Sequence, residues 1–200
     1  MARIPPAQRR EHLVGAALRV IARGGVPAAT TRAIVSEAGM SLASFHYVFR
    51  SHDEMMSELV AHVVGAQRES IATAVGPDLR TSLRAGLHTY LEIIVRDPVQ
   101  ELALLEIMQY AMRTPGLEPL VRQQWASYRA AAESLIVEAA TAANASWTVP
   151  VAEIARMVIT ITDGVTLGWL ADRDDAAAAR TLDLAADALA ALAEPTGAST

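Results

Sequence analysis

From about residue 7 to residue 192 the apolar residues recur at three- and four-residue spacing, and no stretch sustains alternation every second residue. A chain patterned this way buries its apolar stripes by packing helix on helix, which makes the fold class all-α. Glycine, proline and capping residues cut the pattern into nine helices. Gly24-Gly25 stops the first, at about 7–23, and a short second runs from Thr30 or Thr31 to about Ala38, where Gly39 ends it. The third is equally short, about Leu42 to Val48. Ser51 and Glu54 have the S-x-x-E spacing of a capping box and open a long fourth helix to about Val75, with Met56, Leu59, Val60, Val63 and Ile71 as its apolar stripe. Asp78 caps a fifth helix to about Arg96. Asp97-Pro98 opens a sixth to about Arg113, and Thr114-Pro115 a seventh to about Ala143. Thr148 to Pro150 opens an eighth to about Ala171, and Asp172 to Asp175 supply the acidic start of a ninth, to about Leu192. The tail EPTGAST is expected to fray.

Composition removes several function classes. The chain has 200 residues, 52% of them hydrophobic, and a net charge of −5, values that suit a soluble globular protein with an ample core. It has no cysteine, so disulfides, zinc–thiolate sites and thiol catalysis are excluded, and a reducing cytoplasm is the compartment that fits. The basic start is not followed by an apolar segment of signal-peptide type, because Arg19 and Arg23 interrupt it. The longest uncharged run, Ala139–Ala152, has fourteen residues and includes Asn144, Ser146 and Pro150, too short and polar to span a bilayer, so no membrane partner is expected. A helical-bundle enzyme has no support: H-E-x-x-H, G-x-S-x-G and a glycine-rich phosphate loop are all missing. Asp172, Asp174 and Asp175 could hold a cation, but capping the ninth helix accounts for them. No cofactor and no metal are expected.

The charge is unevenly placed. Residues 1–50 carry seven arginines against Glu11 and Glu37, a balance of +5, whereas residues 51–200 carry ten arginines against twenty acids, a balance of −10. The chain has no lysine, so every fixed positive charge is a guanidinium. A basic end on an acidic body suits a polyanion partner at that end, although a chance excess of solvated arginines would look the same. Within this basic end, TTRAIVSEAGMSLASFHYVF (residues 30–49) reads as two short helices joined by a glycine turn. Ile34, Val35, Ala38, Met40, Leu42 and Phe45 can form a small core with Leu18 and Ile21. That is the layout of a helix-turn-helix, whose second helix enters the major groove of DNA; an ordinary helical hairpin has the same spacing. Both phenylalanines and two of the five histidines of the chain fall in SLASFHYVFRSHDEMM, residues 41–56. Phe45 and Phe49, four residues apart, are expected to face inward.

TTRAIVSEAGMSLASFHYVFRSHDEMM, with RREHLVGAALRVIARGG ahead of it, resembles the N-terminal domain of the TetR-like (AcrR-like) bacterial transcriptional regulators over about residues 8–60. The rest resembles the family in architecture, and TDGVTLGWLAD looks like the Asp-Gly-containing eighth helix of many members. The resemblance implies a DNA-binding domain at 1–50 and an effector-binding and dimerisation domain at 51–200. It implies DNA contacts at Thr31, Arg32, Ser41, Leu42, Ala43, Ser44, His46, Tyr47 and His52. Hydroxyls of Ser41, Ser44 and Tyr47 suit phosphates or base edges, Arg32 and Arg50 suit phosphates, and Leu42 and Ala43 offer only apolar contact, for example to a thymine methyl. The sequence departs from the family at His46 and Val48, where members commonly have tyrosine, at Arg50, where proline is frequent, and at His52, where lysine is usual. Imidazole contacts to phosphate would weaken as pH rises from about 6 to 8.

For the later helices the resemblance implies a pocket for a small effector and a dimer interface on the eighth and ninth helices. The eighth is apolar almost all round, and Gly164 and Gly168 permit close approach. Ile154, Val158, Ile161, Val165, Gly168 and Trp169, with Leu182 and Leu189 of the ninth, are the expected interface of a two-fold dimer. Such a dimer sets two recognition helices about 34–36 Å apart on a pseudo-palindromic operator. Met108, Met112, Trp125 and Tyr128 are expected on inward faces, with His62, His88 and Gln109 as polar pocket candidates for a mostly hydrophobic effector. Plain core packing would place the same residue types there. The expected function is a ligand-responsive regulator, most simply a repressor released by its effector; the alternatives are a helical-bundle enzyme or an adaptor without DNA binding.

Overall fold

The computed structural model describes residues 5–66 and 76–196. Nine α-helices occur among them: α1 Pro6–Gly24, α2 Thr31–Glu37, α3 Leu42–Val48, α4 His52–Ala66, α5 Leu79–Arg96, α6 Pro98–Arg113, α7 Glu118–Ala142, α8 Val151–Asp172 and α9 Asp175–Ala190. A short 3-10 turn, Val26–Ala28, follows α1. The fold is all-α, as the periodicity requires. The expected continuation of α4, including Ile71, lies outside the described residues.

Caps set most boundaries. The side chains of Thr30, Ser41, Asp78 and Asp174 each accept a backbone N–H from the first turn of α2, α3, α5 and α9 respectively. Two expectations need correction. Thr114-Pro115 does not open α7; Thr114 Oγ donates back to the Tyr110 carbonyl, Gly116 turns the chain at φ +88°, and the helix starts at Glu118, whose carboxylate accepts the Gly116 N–H. The tail does not fray at once, because Ala193–Pro195 pairs antiparallel with Ala145–Trp147 and the Thr196 N–H reaches the Asn144 carbonyl at 2.7 Å. These three-residue strands, β1 and β2, are too short to show any alternation in sequence.

The chain divides into two compact units, residues 1–67 with 99–124, and residues 68–98 with 125–200. In the first, α1, α2, α3, α4 and most of α6 share one core of Leu13, Ala17, Ile21, Ile34, Phe45, Phe49, Met55, Leu59, Ile107 and their neighbours. Glu106 of α6 joins this unit to its own N-terminal loop by accepting the Val26 N–H at 2.9 Å. Gly25 takes φ +75° and ψ 172°, a backbone conformation essentially open only to glycine.

The second unit is built on α5, α8 and α9. Leu83, Leu87, Leu91, Ile94, Ile154, Trp169, Leu182 and Leu189 form its core, with Ile136 of α7. Arg80, Arg84 and His88 recur every four residues on α5, and Asp183 and Asp187 do so on α9. Arg80 pairs with Asp187, Arg84 with Asp183 at 2.6 Å, and His88 with Asp183 at 2.7 Å, a ladder that fixes the two helices antiparallel. The guanidinium of Arg84, then the ring of His88, hold the Asp183 carboxyl down at about 2.

Candidate nucleic-acid interface

The α2–α3 pair is defined by local chemistry. Gly39 takes φ +63° between the two helices, and the Met40 N–H returns to the Val35 carbonyl at 2.8 Å. Ser41 then caps α3, its Oγ accepting the Ser44 N–H at 3.2 Å and lying 3.1 Å from the Ser44 hydroxyl. Phe45 and Phe49 are 0% and 1% exposed, their ring centroids 5.4 Å apart, and anchor α3 on the core. With that face and Val48 buried, the periodicity of a helix turns His46 and Tyr47 outward.

Leu42 is 45% exposed and Tyr47 59%, with Ser41, Ala43 and His46 exposed beside them. Leu42 therefore belongs to the outer face and not to the small core also expected for it. Ser44 and Thr31 are half-buried, Arg32 and Arg50 exposed. The guanidinium groups of Arg32 and Arg50 form no ion pair among the described residues, whereas Arg10, Arg19 and Arg23 are all paired within the protein. Arg19, then Arg23, hold the Glu37 carboxyl below its ordinary range. Arg9, not singled out in the sequence, lies over the Tyr47 ring at 5.4 Å and extends the basic rim; its only sequence signal is its place in the basic N-terminal run.

His52 is engaged inside the protein. Its Nε2 lies 2.6 Å from the Ala29 carbonyl, so that nitrogen carries the proton and donates, tying the start of α4 to the residue before the α2 cap. His46 is exposed, and its ring stands edge-on to Phe45. Ser51 and Glu54 form the cap at α4, with the Glu54 N–H donating to Ser51 Oγ at 3.0 Å. The Glu54 carboxylate reaches one residue further back, to the Arg50 N–H at 2.8 Å. That backbone hydrogen bond, ahead of Arg10, holds the Glu54 carboxyl below its ordinary value.

The residue most densely engaged here was invisible to motif reading. Arg10 of α1 donates to the Val48 carbonyl at the end of α3 at 2.6 Å, to both carboxylate oxygens of Glu58, and to Glu54 at 3.2 Å. Its guanidinium also lies 4.5 Å from the Phe49 ring centroid. One side chain therefore closes the C-terminal end of α3 and grips the first turns of α4.

The other predicted residues divide. In the first unit, His62 is exposed on α4, Met108 is half-buried on α6, and Gln109 and Met112 face solvent, Met112 at 57% exposure. The inward face of α6 is Ala103, Leu104, Ile107 and Ala111, and helical geometry turns 109 and 112 away from it. Gln109 lines an open depression of about 340 Å³ with Val26, Pro27, Glu106, Tyr110 and Arg113. In the second unit, His88 is committed to Asp183, and Trp125 and Tyr128 are half-buried and edge-on to one another at 6.3 Å. Of the expected interface residues, Ile154, Val165, Trp169, Leu182 and Leu189 are buried in that unit's own core, Val158 and Ile161 are half-buried against it, and only Gly168 is exposed. Trp169 is further fixed by donating to Asp175 at 2.7 Å and by Arg173 over its ring. The face left open carries Met157, Thr160, Gly164 and Leu167 on α8 and Leu184 on α9.

A helix-turn-helix with an exposed, hydroxyl-bearing second helix and a basic rim, in an otherwise helical chain, defines a DNA-binding regulator. Residues 13–59 match the model of the bacterial regulatory proteins of the tetR family, and residues 77–194 match the C-terminal domain of BetI-type transcriptional repressors. The chain is 35% identical over 177 residues to the HTH-type nicotine-responsive transcriptional repressor HdnoR of Paenarthrobacter nicotinovorans, covering 86% of this chain and 89% of that one. Among solved structures, a TetR transcription regulator from Haloarcula marismortui matches with a TM-score of 0.76 at 21% identity, covering 94% of this chain and all of that one. FadR of Bacillus subtilis, solved with stearoyl-CoA, matches at 0.66 and 13% identity over 91% of this chain and 96% of that one. The chain belongs to the TetR family of transcriptional regulators; it is a regulator and not an enzyme.

Proposed function

We propose that this regulator is a repressor that binds a pseudo-palindromic operator as a homodimer and leaves it when a small, mostly hydrophobic effector binds. The observation that carries the reading is the outer face of α3, where Ser41, Leu42, Ala43, His46 and Tyr47 stand clear of the core, together with the exposed Arg32 and Arg50, whose guanidinium groups form no ion pair among the described residues. Leu42 and Ala43 supply apolar contact to base edges, the hydroxyls supply hydrogen bonds, and the arginines supply phosphate contacts that set register.

The dimer rests on the open face of α8 and α9. Leu167 is 64% and Leu184 71% exposed, and a Cβ built on Gly164 or Gly168 would meet nothing within 4 Å inside the subunit. Glycines with no close neighbour of their own suit a helix that another subunit approaches. Length and composition alone would let α8 cross a bilayer, but Arg156 and Asp163 point to the same open face as Met157 and Thr160. A second protein surface accommodates them better than lipid does.

A small, largely apolar organic effector is consistent with the nicotine-responsive relative, and the cytoplasm is where the operator would be met. Release follows if the effector binds one position of α4 better than another, because Arg10 ties the first turns of α4 to the end of α3. Operator selection from random duplexes, followed by mobility shifts across salt and sedimentation of the free protein, tests this. A single palindromic consensus, a steep salt dependence and a dimer are expected. A monomer with no sequence preference would refute it.

A further inference from the structure

Three polar side chains are buried among the described residues: Ser82, Thr166 and Gln124. Two are satisfied. Ser82 Oγ donates to the Asp78 carbonyl and accepts the Gly76 N–H, and Thr166 bonds the Tyr90 hydroxyl. Gln124 is 0% exposed, yet neither its Oε1 nor its Nε2 has a hydrogen-bond partner. It sits on α7 three and four residues after Val121 and Leu120, on the face that those side chains pack against the apolar core of the first unit. Leucine or methionine would fill such a position at no polar cost, and an enclosed, wholly unpaired amide is a rare feature that calls for a reason.

We infer that Gln124 is the polar anchor of the effector site, and that the effector is a neutral, mostly apolar molecule carrying a hydrogen-bond donor beside an acceptor, as in a carboxamide or lactam. The inference rests on the reading of the chain as effector-responsive and names the chemistry of that response. A primary amide presents an acceptor and a donor on one edge, and its complement is a group that presents the reverse pair. Neutrality follows from the surroundings: no ionisable side chain is buried among the described residues, so a charged ligand enclosed with Gln124 would have no counter-charge. The apolar character follows from Leu117, Leu120 and Val121 on the same face. Because the amide is fully enclosed, the ligand enters through a locally opened state, and its binding draws the protein toward that state.

The test uses the full chain and two probes, benzamide and N,N-dimethylbenzamide, the second lacking the donor. Affinities are measured by saturation-transfer NMR titration for wild type, Gln124→Leu and Gln124→Met. Wild type should prefer benzamide by about tenfold, the value of one net hydrogen bond, and both variants should bind the two probes about equally. The unliganded variants should melt no lower than wild type, because each removes an unpaired buried amide. No preference in wild type, a preference that survives in the variants, or a lower melting temperature in both variants would overturn the inference. Operator binding by wild type is read in parallel; its loss would count against the repressor reading and leave the probe result to decide Gln124.

Discussion

Arg10→Met tests the joint between α1, α3 and α4. Methionine keeps an apolar stem beside Phe49 and removes the guanidinium. The Val48 carbonyl then loses a charge-assisted hydrogen bond at a helix C-terminus, and Val48 is only 8% exposed. Such a bond contributes about 1.5–3 kcal/mol, and the lower end applies because the Arg10 side chain is 33% exposed. The Glu58 pair, with its acid 36% exposed, adds at most about 0.5 kcal/mol after solvent screening. The cation–π contact to Phe49 adds about 0.5 kcal/mol. The sum is about 2–3 kcal/mol, equivalent to a fall in melting temperature of roughly 4–12 °C for a chain of this size. Operator affinity should fall at every salt concentration because α3 is less firmly held, while the slope of log affinity against log salt stays as in wild type, since Arg10 faces Glu54 and Glu58 and not phosphate. Thermal unfolding and mobility shifts from 50 to 200 mM salt measure both quantities. An unchanged melting temperature, or a slope lowered by about one, would refute the clamp.

Arg32→Ala should do the reverse: melt like wild type, weaken binding similarly across operator variants, and lower the salt slope by about one in a salt titration. His46→Gln should flatten any loss of operator affinity between pH 6 and 8, whereas His52→Gln should leave that profile intact and lower the melting temperature through the lost Ala29 bond. Asp183 has a folded-state pKa depressed to about 2, so its contribution to stability is complete above the unfolded carboxylate value near 4 and is lost as pH falls toward 2. Unfolding curves of Asp183→Asn should therefore depend less on pH than those of wild type between pH 5 and 2, and an identical pH dependence would show that the ladder contributes nothing. Leu167→Glu with Leu184→Glu should give a monomer by sedimentation without a fall in helical content, since both side chains are more than half exposed in the subunit.

What the sequence disclosed, and what it withheld, follows from the range of each interaction. Helix ends were legible because caps act over three or four residues: Ser41, Asp78 and Asp174 each bond an N–H three residues on. The Thr114-Pro115 device misled because Gly116 offered the chain a turn before the helix could start. The inward turn of Phe45 and Phe49 was legible from their spacing, and the exposed face of α3 follows from it. Most of the residues expected at an interface on α8 and α9 pack instead into their own unit, for the same reason that the helices were found. Periodicity reveals an apolar helix, but on a helix apolar all round it cannot say which stripe meets the subunit's own core. Trp169 and Leu182 looked suited to a partner and are instead covered by α5 and the α8–α9 turn.

The contacts between positions far apart in sequence were illegible, and they decide how the reading head is held. α2 and α3 have seven residues each, too few to persist as helices alone. Their geometry is imposed by side chains that arrive from elsewhere: Arg10 from α1 on the Val48 carbonyl, His52 from α4 on the Ala29 carbonyl, Glu106 from α6 on the Val26 N–H. The first two satisfy a backbone group next to α3 or α2 and so help fix where that helix ends or begins, and the third holds the 3-10 turn that leads into α2. Two of the three side chains, His52 and Glu106, stand on helices beyond residue 50, and Arg10 grips Glu58 there as well. A shift of α4 or α6 by even one ångström therefore lengthens hydrogen bonds at both ends of the helix-turn-helix. Under the proposed reading, therefore, substitutions on α4 or α6 that break these bonds should lower DNA affinity as much as substitutions on the exposed face of α3.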